Sequence, residues 1–332
     1  MKFLKRIVLL LILSSFILVG CGSVTEKDIT NSLNKKINGL KGYYLEGELE
    51  ILNNEDTYKY DVVVFYKKED MFKVSLTNKL NNHEQIILKN KEGVYVLTPS
   101  LNKSFKFQSE WPYNNSQSYL LQSLIKDMKV SDGRSMEEKD GHYLIKSKVN
   151  YPNNKNLTNQ IVYLDKDKNF KEVHVLNDKN EVQIKMKFTN IDMKKVPGEK
   201  DFKLEENMRV SAEYEEVFPV TKIEDIIYPM YIPLNTKLTS QDKVTKSDGE
   251  RIILTFAGDS PFMLVEETVS KDESVIPMYG EPGFLMDTIG AISDNSITWS
   301  SNGIEFYLVS DVLDKDELLL IAKSVSSMPV AK

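Results

Sequence analysis

The sequence predicts an α+β protein: a long antiparallel β meander covered by a helix, followed by a small α+β domain. Three observations predict this. Short β-rich runs recur from residue 43 to 190, separated by turn pairs such as Asn81-Asn82 and Asp140-Gly141. One helical pattern, 118–128, interrupts them. Pro219, Pro229 and Pro233 then punctuate a linker before fewer strands and a last helix. A chain of this length buries a large core and suggests two domains.

The N-terminus decides where the rest works. Lys2, Lys5 and Arg6 precede an apolar run from Ile7 to Val19, the order of a secretory leader. The run is short for a spanning helix, which needs ~20 apolar residues. It ends in Leu18-Val19-Gly20-Cys21, and Cys21 is the only cysteine of the chain. These four residues resemble a bacterial lipobox. The resemblance implies that the Cys21 thiol takes a diacylglyceryl group and becomes the first residue after cleavage. A lipidated thiol forms no disulfide, and no second thiol exists to mispair outside the cytoplasm. The acyl chains, at ~0.8 kcal/mol per buried CH₂, anchor the protein to the membrane. Without the three leader cations, 40 basic residues face 49 acidic ones, a net charge of −9. That disfavours nucleic acid, which rewards basic faces, and adsorption to anionic lipid, so the acyl chains are expected to do the holding.

A helix is expected over 25–40, with Ile29, Leu33, Ile37 and Leu40 on one side, Thr25 as cap and Gly39 and Gly42 at its end. Strands come next at 43–51, 58–66, 72–76, 85–88, 94–97 and 103–107. "YKYDVVVFY", residues 58–66, is apolar on both faces, so both faces are expected to be covered. The helix at 118–128 presents Leu120, Leu121, Leu124, Ile125 and Met128 on one side, with Ser118 as its candidate cap. Strands resume at 142–150, 160–164, 171–176 and 182–190. After the linker they lie at 251–256, 262–269, 296–300 and 304–310, before a helix over 314–325.

No residues assemble into a recognisable catalytic or metal motif. His83, His142 and His174 lie far apart, and no cysteine joins them. Asp165–Asn169, "DKDKN", opens like a calcium loop, but Phe170 and Leu176 stand where Gly and Glu are needed, leaving a charged turn. Ser260 in "GDSP" has no nearby histidine and reads as a turn. Glu137-Glu138 and Glu266-Glu267 are adjacent strand residues on opposite faces, read as exposed charges. The 30 Tyr and Phe residues fit a plain core; a sheet curved around a cavity, with 118–128 as its cover, is the alternative.

"GVYVLTPSLNKSFKFQSEWP", residues 93–112, resembles a LolA-like segment, and the helix after it stands in the corresponding place. "IVYLDKDKNFKEVHVLNDKNEVQIKMKFTNI", residues 161–191, is similar to that family's later hairpin. The resemblance implies an incomplete antiparallel β-barrel wrapped on helices, with an apolar cavity that receives acyl chains in true carriers. "GIEFYLVSDVLDKDELLLIAKSV", residues 303–325, looks like the end of a small domain on sporulation lipoproteins. The whole layout resembles GerS-like germination and sporulation lipoproteins of Gram-positive spore formers, which implies a place at the forespore envelope and support of a cortex peptidoglycan amidase. A tethered protein does not shuttle, so a fixed binding module is favoured over a carrier.

The expected organisation is a leader over 1–20, a lipidated tether and helix over 21–42, a LolA-like domain over 43–215 and a small α+β domain over 216–332. The expected role is non-enzymatic: an extracytoplasmic, membrane-anchored module that positions a cortex amidase, or else a receptor for a lipid or other hydrophobic ligand. The site residues are Cys21 for lipid attachment and Leu120, Leu121, Leu124, Ile125 and Met128 as cavity cover. No catalytic, cofactor or metal residue is assigned, and no nucleic-acid partner is expected.

Overall fold

Helix α1 (Glu26–Asn38) begins where the sequence supplies a capping box: Asp28 N–H donates to Thr25 Oγ1, and the Asp28 carboxylate accepts from the Thr25 N–H. Ile29, Leu33 and Ile37 fall four residues apart and are fully buried. The computed structural model describes residues 24–53, 56–130, 132–209, 222–269 and 274–325. Cys21 and the leader lie outside these residues, as does most of the linker around Pro219.

The strands β1 (Gly42–Asn53), β2 (Asp56–Lys67), β3 (Met71–Asn78), β4 (Glu84–Asn90), β5 (Gly93–Thr98) and β6 (Lys103–Phe107) form an antiparallel meander. Helix α2 (Leu121–Lys129) comes after it. A second meander is built from β7 (Ser135–Lys139), β8 (His142–Lys148), β9 (Leu157–Asp165), β10 (Phe170–Asn177) and β11 (Val182–Asp192). β1 pairs with β11 and joins the two meanders into one sheet. At that seam the register shifts at Gly47, where a Cβ would stand 2.4 Å from the Lys187 carbonyl oxygen. Only glycine lets the two backbones approach this closely.

The sheet is open and curls around α1 and α2. One apolar core joins Phe105 of β6 and Ile145 of β8, far apart in strand order, through Ile29 and Leu33 of α1 and Leu121 and Leu124 of α2. This is the incomplete barrel wrapped on helices. In β2 the alternation is strict: Tyr60, Val62 and Val64 enter this core, while Phe65 turns outward. Outward, Phe202 and the short helix α3 (Leu204–Met208) cover Ile86, Leu88 and Leu97. That outward cover reaches the run 58–66 only at Phe65, which is half-buried, while Lys59 and Asp61 are exposed. The strand is covered fully on one face and partly on the other, because its outward face is polar at its first half.

The C-terminal region forms a seven-stranded sheet from β12 (Thr236–Thr245), β13 (Glu250–Gly258), β14 (Phe262–Thr268), β16 (Glu281–Leu285), β17 (Thr288–Ile292), β18 (Ser296–Ser301) and β19 (Ile304–Val309). Helix α4 (Lys315–Ser324), capped by Asp314, buries Leu318, Ile321 and Ala322 against it. The remaining strand, β15 (Ser274–Met278), leaves this sheet and pairs parallel with β6, so the first sheet has twelve strands. The two regions thus share a sheet edge.

Ser118 does not cap α2. The helix starts at Leu121, and Ser118 is buried beside Tyr151, to whose phenol its side chain is hydrogen-bonded. The Ser123 hydroxyl instead accepts from the Gln117 N–H at 2.8 Å.

Candidate functional site

A cavity of about 540 Å³ lies where the C-terminal region meets the curled sheet. The first sheet contributes Leu49, Ile51 and Tyr58 from the β1–β2 hairpin, with Ile87 from β4. The segment before α2 adds Asn115, Gln117 and Tyr119, and the β8–β9 loop adds Tyr151, Asn153 and Asn154. The C-terminal region closes the space with Phe284, Met286 and Ile289 of the β16–β17 hairpin and with Leu319, Leu320 and Lys323 of α4.

Each wall is held by local chemistry. α4 faces two ways: Leu318, Leu319, Ile321 and Ala322 belong to the second core, and Leu319 sits at its margin, bordering the cavity with Leu320 and Lys323. The β16–β17 hairpin turns at Met286, whose φ is +48°, and docks by its backbone. The Tyr60 hydroxyl donates to the Met286 carbonyl at 3.1 Å, and Tyr60 and Phe284 rings meet at 5.8 Å. Gln85 Oε1 accepts from the Ile289 N–H at 2.6 Å and from the Thr288 hydroxyl at 3.1 Å. Burial raises the Tyr60 phenol far above its ordinary value, so it stays a neutral donor.

Lys323 is half-buried in the wall, and burial lowers its ammonium pKa. Among the described residues it has no ion-pair or hydrogen-bond partner. The other charged lining groups, Asp178 and Lys179, are exposed at the β10–β11 turn. Behind the wall, burial raises Asp127 of α2 to about 6, opposed by a hydrogen bond from Ser116.

The structure separates the residues singled out from the sequence. Leu120, Leu121, Leu124, Ile125 and Met128 are at most 2 % exposed and packed in the first core. They border no part of the cavity; the residues just before them, Ser118 and Tyr119, do. Cys21 is outside the described residues. His83 contacts Ser100, His142 contacts the Asp140 carbonyl and His174 contacts Glu172, three separate places. Among the described residues no group of three or more His, Cys, Asp or Glu could hold a metal ion. Asp165 organises a hairpin turn, accepting from the Asp167 and Asn169 N–H groups.

Glu266 corrects one charge reading. Glu267 pairs with Arg251 and Lys246 on the solvent side, but Glu266 is fully buried. Both Glu266 oxygens accept from the Ile227 N–H, at 3.0 and 3.2 Å, and burial raises its carboxyl to about 7. It clasps the incoming linker to the second sheet. Sequence reasoning also missed Lys323 and the β16–β17 hairpin. Lys323 carries a weak signal, as the one charged residue that follows the unbroken apolar run 318–322 of this helix.

A family model described as sporulation protein YdcC-like matches residues 1–202. The sporulation protein YdcC of Bacillus subtilis (strain 168) is 36 % identical over 332 residues, covering 98 % of each chain. Among solved structures, the CwlD amidase from Clostridioides difficile in complex with the GerS lipoprotein contains a chain 18 % identical; the match covers 52 % of this chain and 98 % of that one, with a TM-score of 0.30. A putative outer membrane lipoprotein-sorting protein domain from Vibrio parahaemolyticus is 12 % identical, with 56 % and 98 % coverage and a TM-score of 0.35. Among the described residues no helix is long and apolar enough to cross a membrane.

Proposed function

The chain belongs to the YdcC-like sporulation proteins, and from that premise we propose that it is a membrane-anchored, extracytoplasmic binding protein, not an enzyme, whose ligand is an elongated apolar group held in the interdomain cavity. The cavity carries this reading. Its volume falls within the ~300–1,000 Å³ of ligand pockets, and its walls combine aliphatic and aromatic side chains with neutral amides. The sequence from Lys2 to Cys21 supports the anchored location. The test is organic extraction of the full-length protein purified from its own membranes, beside a Leu319→Trp variant that fills the cavity. An apolar species near one per protein is expected from the first and much less from the second. Equal traces from both would overturn the reading.

A second reading has its own observation. Met230 and Leu234 are 86 and 90 % exposed, and Tyr228, Tyr231 and Ile232 are exposed between and beside them. Such a contiguous apolar strip suits a protein partner. The resemblance to GerS-like lipoproteins supports a cortex peptidoglycan amidase as the kind of partner, and the exposed strip is the surface we assign to it. Under this reading Met230→Asp with Leu234→Asp abolishes amidase capture from sporulating cells. Capture that survives the double substitution would sink it.

A further inference from the structure

The cavity wall is neutral except at three residues. Asp178 and Lys179 stand exposed at the rim and offset one another in charge. Asp316, elsewhere on α4, is paired with Lys155 at 3.1 Å. That leaves Lys323, on the cavity side of α4 beside Leu319 and Leu320, with no carboxylate at ion-pair distance among the described residues. A half-buried ammonium without a partner is costly, because partial desolvation removes water and nothing replaces it. Burial lowers the Lys323 pKa and no nearby acid raises it, which matches the geometry. Its place in the last turn of α4 favours a cation, but the helix dipole supplies only ~0.3–1 kcal/mol and does not require the side chain to line a cavity.

The rest of the lining separates by character. Ile87, Ile289 and Leu319 are apolar, whereas Asn153, Asn154 and Gln183 offer neutral hydrogen bonds. We propose that the ligand is a single-chain amphiphile with one anionic head group, a carboxylate or a phosphate ester, whose chain lies among the aliphatic residues and whose charge is met by Lys323. The inference rests on the reading that the cavity holds an apolar ligand, and it adds the sign of the head group. A charge-assisted hydrogen bond in a partly dry site is stronger than a neutral one, so charged and neutral ligands of equal chain length are bound unequally.

The test uses the full-length protein in membranes and three photoactivatable probes of one chain length: a diazirine fatty acid, the corresponding alcohol and the corresponding lysophosphatidic acid. Cross-linked peptides are mapped by mass spectrometry. The acid or the phosphate is expected to label peptides spanning Phe284 to Ile292 and Leu319 to Lys323 roughly tenfold more than the alcohol, the ratio given by ~1.4 kcal/mol. Whichever anion labels more identifies the head group. Lys323→Met should lower anion labelling to the alcohol level and leave the alcohol unchanged. Lys323→Arg should keep the preference, and so should Lys166→Met, at a surface lysine that does not line the cavity. Equal labelling by acid, phosphate and alcohol in the unmodified protein, or a preference that survives Lys323→Met, overturns the head-group proposal while leaving the cavity reading intact. Absence of labelling at these peptides by all three probes overturns both.

Discussion

Gln85 Oε1 and the Ile289 N–H meet at 2.6 Å across the two sheets, both residues being at most 5 % exposed. The same oxygen accepts from Thr288, and the Gln85 amide nitrogen donates to Thr98 at 3.4 Å. One side chain from the first sheet thus satisfies backbone and hydroxyl donors of the hairpin that closes the cavity. Gln85→Ala strands a buried N–H, which costs ~1–3 kcal/mol. The expected result is a lower denaturation midpoint and earlier loosening of the C-terminal region, read by hydrogen exchange at Ile289. An unchanged midpoint and unchanged protection would show that the contact contributes nothing.

Glu266 makes the second sheet sensitive to pH. Its folded pKa, about 7, lies above the ordinary 4.5, so the folded state binds the proton more tightly than the unfolded state does. Stability is then greatest below pH 4.5 as far as this group decides it, and falls as pH rises through 7. At ~1.36 kcal/mol per pKa unit the loss is on the order of 3 kcal/mol. Glu266→Gln keeps an oxygen to accept from Ile227 and removes the ionisation. The variant should be more stable than the parent at about pH 8 and similar to it at about pH 5, by urea denaturation. A parent whose advantage over the variant grows with pH would contradict this.

The helix α1 cap is a local test of the first core. Thr25→Ala removes the oxygen that accepts from the Asp28 N–H and should cost ~1 kcal/mol. Thr25→Ser should cost less. Equal destabilisation by both would place the effect in the methyl group rather than the cap.

Elements that bury one face carried their period openly in the sequence: Ile29, Leu33 and Ile37 in α1, and Tyr60, Val62 and Val64 in β2. Their positions were legible because the core demands them. β12, "TKLTSQDKVT", has almost no buried residue and pairs on one side only, so its hydrogen bonds left no hydrophobic trace. β7, "SMEEK", is another polar edge strand. The β16–β17 hairpin was missed for a different reason: it turns at Met286 with φ +48°, where no Asn-Gly or Asp-Gly pair announces a turn. The cavity was the least legible feature. It is made by two regions far apart in sequence, and neither Gln85 nor Lys323 has a local pattern that reveals its partner or lack of one. Glu266 reads as a surface charge in the sequence because adjacency to Glu267 fixes opposite faces but not which face is dry.

Cys21 lies outside the described residues; helix α1, close behind it in the chain, begins at Glu26 and is locked into the first core by Ile29 and Leu33. Four residues separate Cys21 from Glu26, and each spans at most ~3.5 Å when extended, so a lipid on Cys21 would hold the curled sheet within roughly 20 Å of the bilayer. Confinement of that kind raises the effective concentration of any ligand or partner at the same membrane. Cys21→Ala removes the acceptor thiol and the cleavage point together. Radiolabelled palmitate should enter the parent and not the variant, and the variant should accumulate as uncleaved precursor. The fold should be unaffected, because α1 and its cap begin after this position. Sporulation should nevertheless suffer, since the protein would keep its cavity and lose its place. Equal palmitate labelling of parent and variant would remove the lipobox reading. Full complementation by an unlabelled variant released from the membrane would show that anchoring is dispensable.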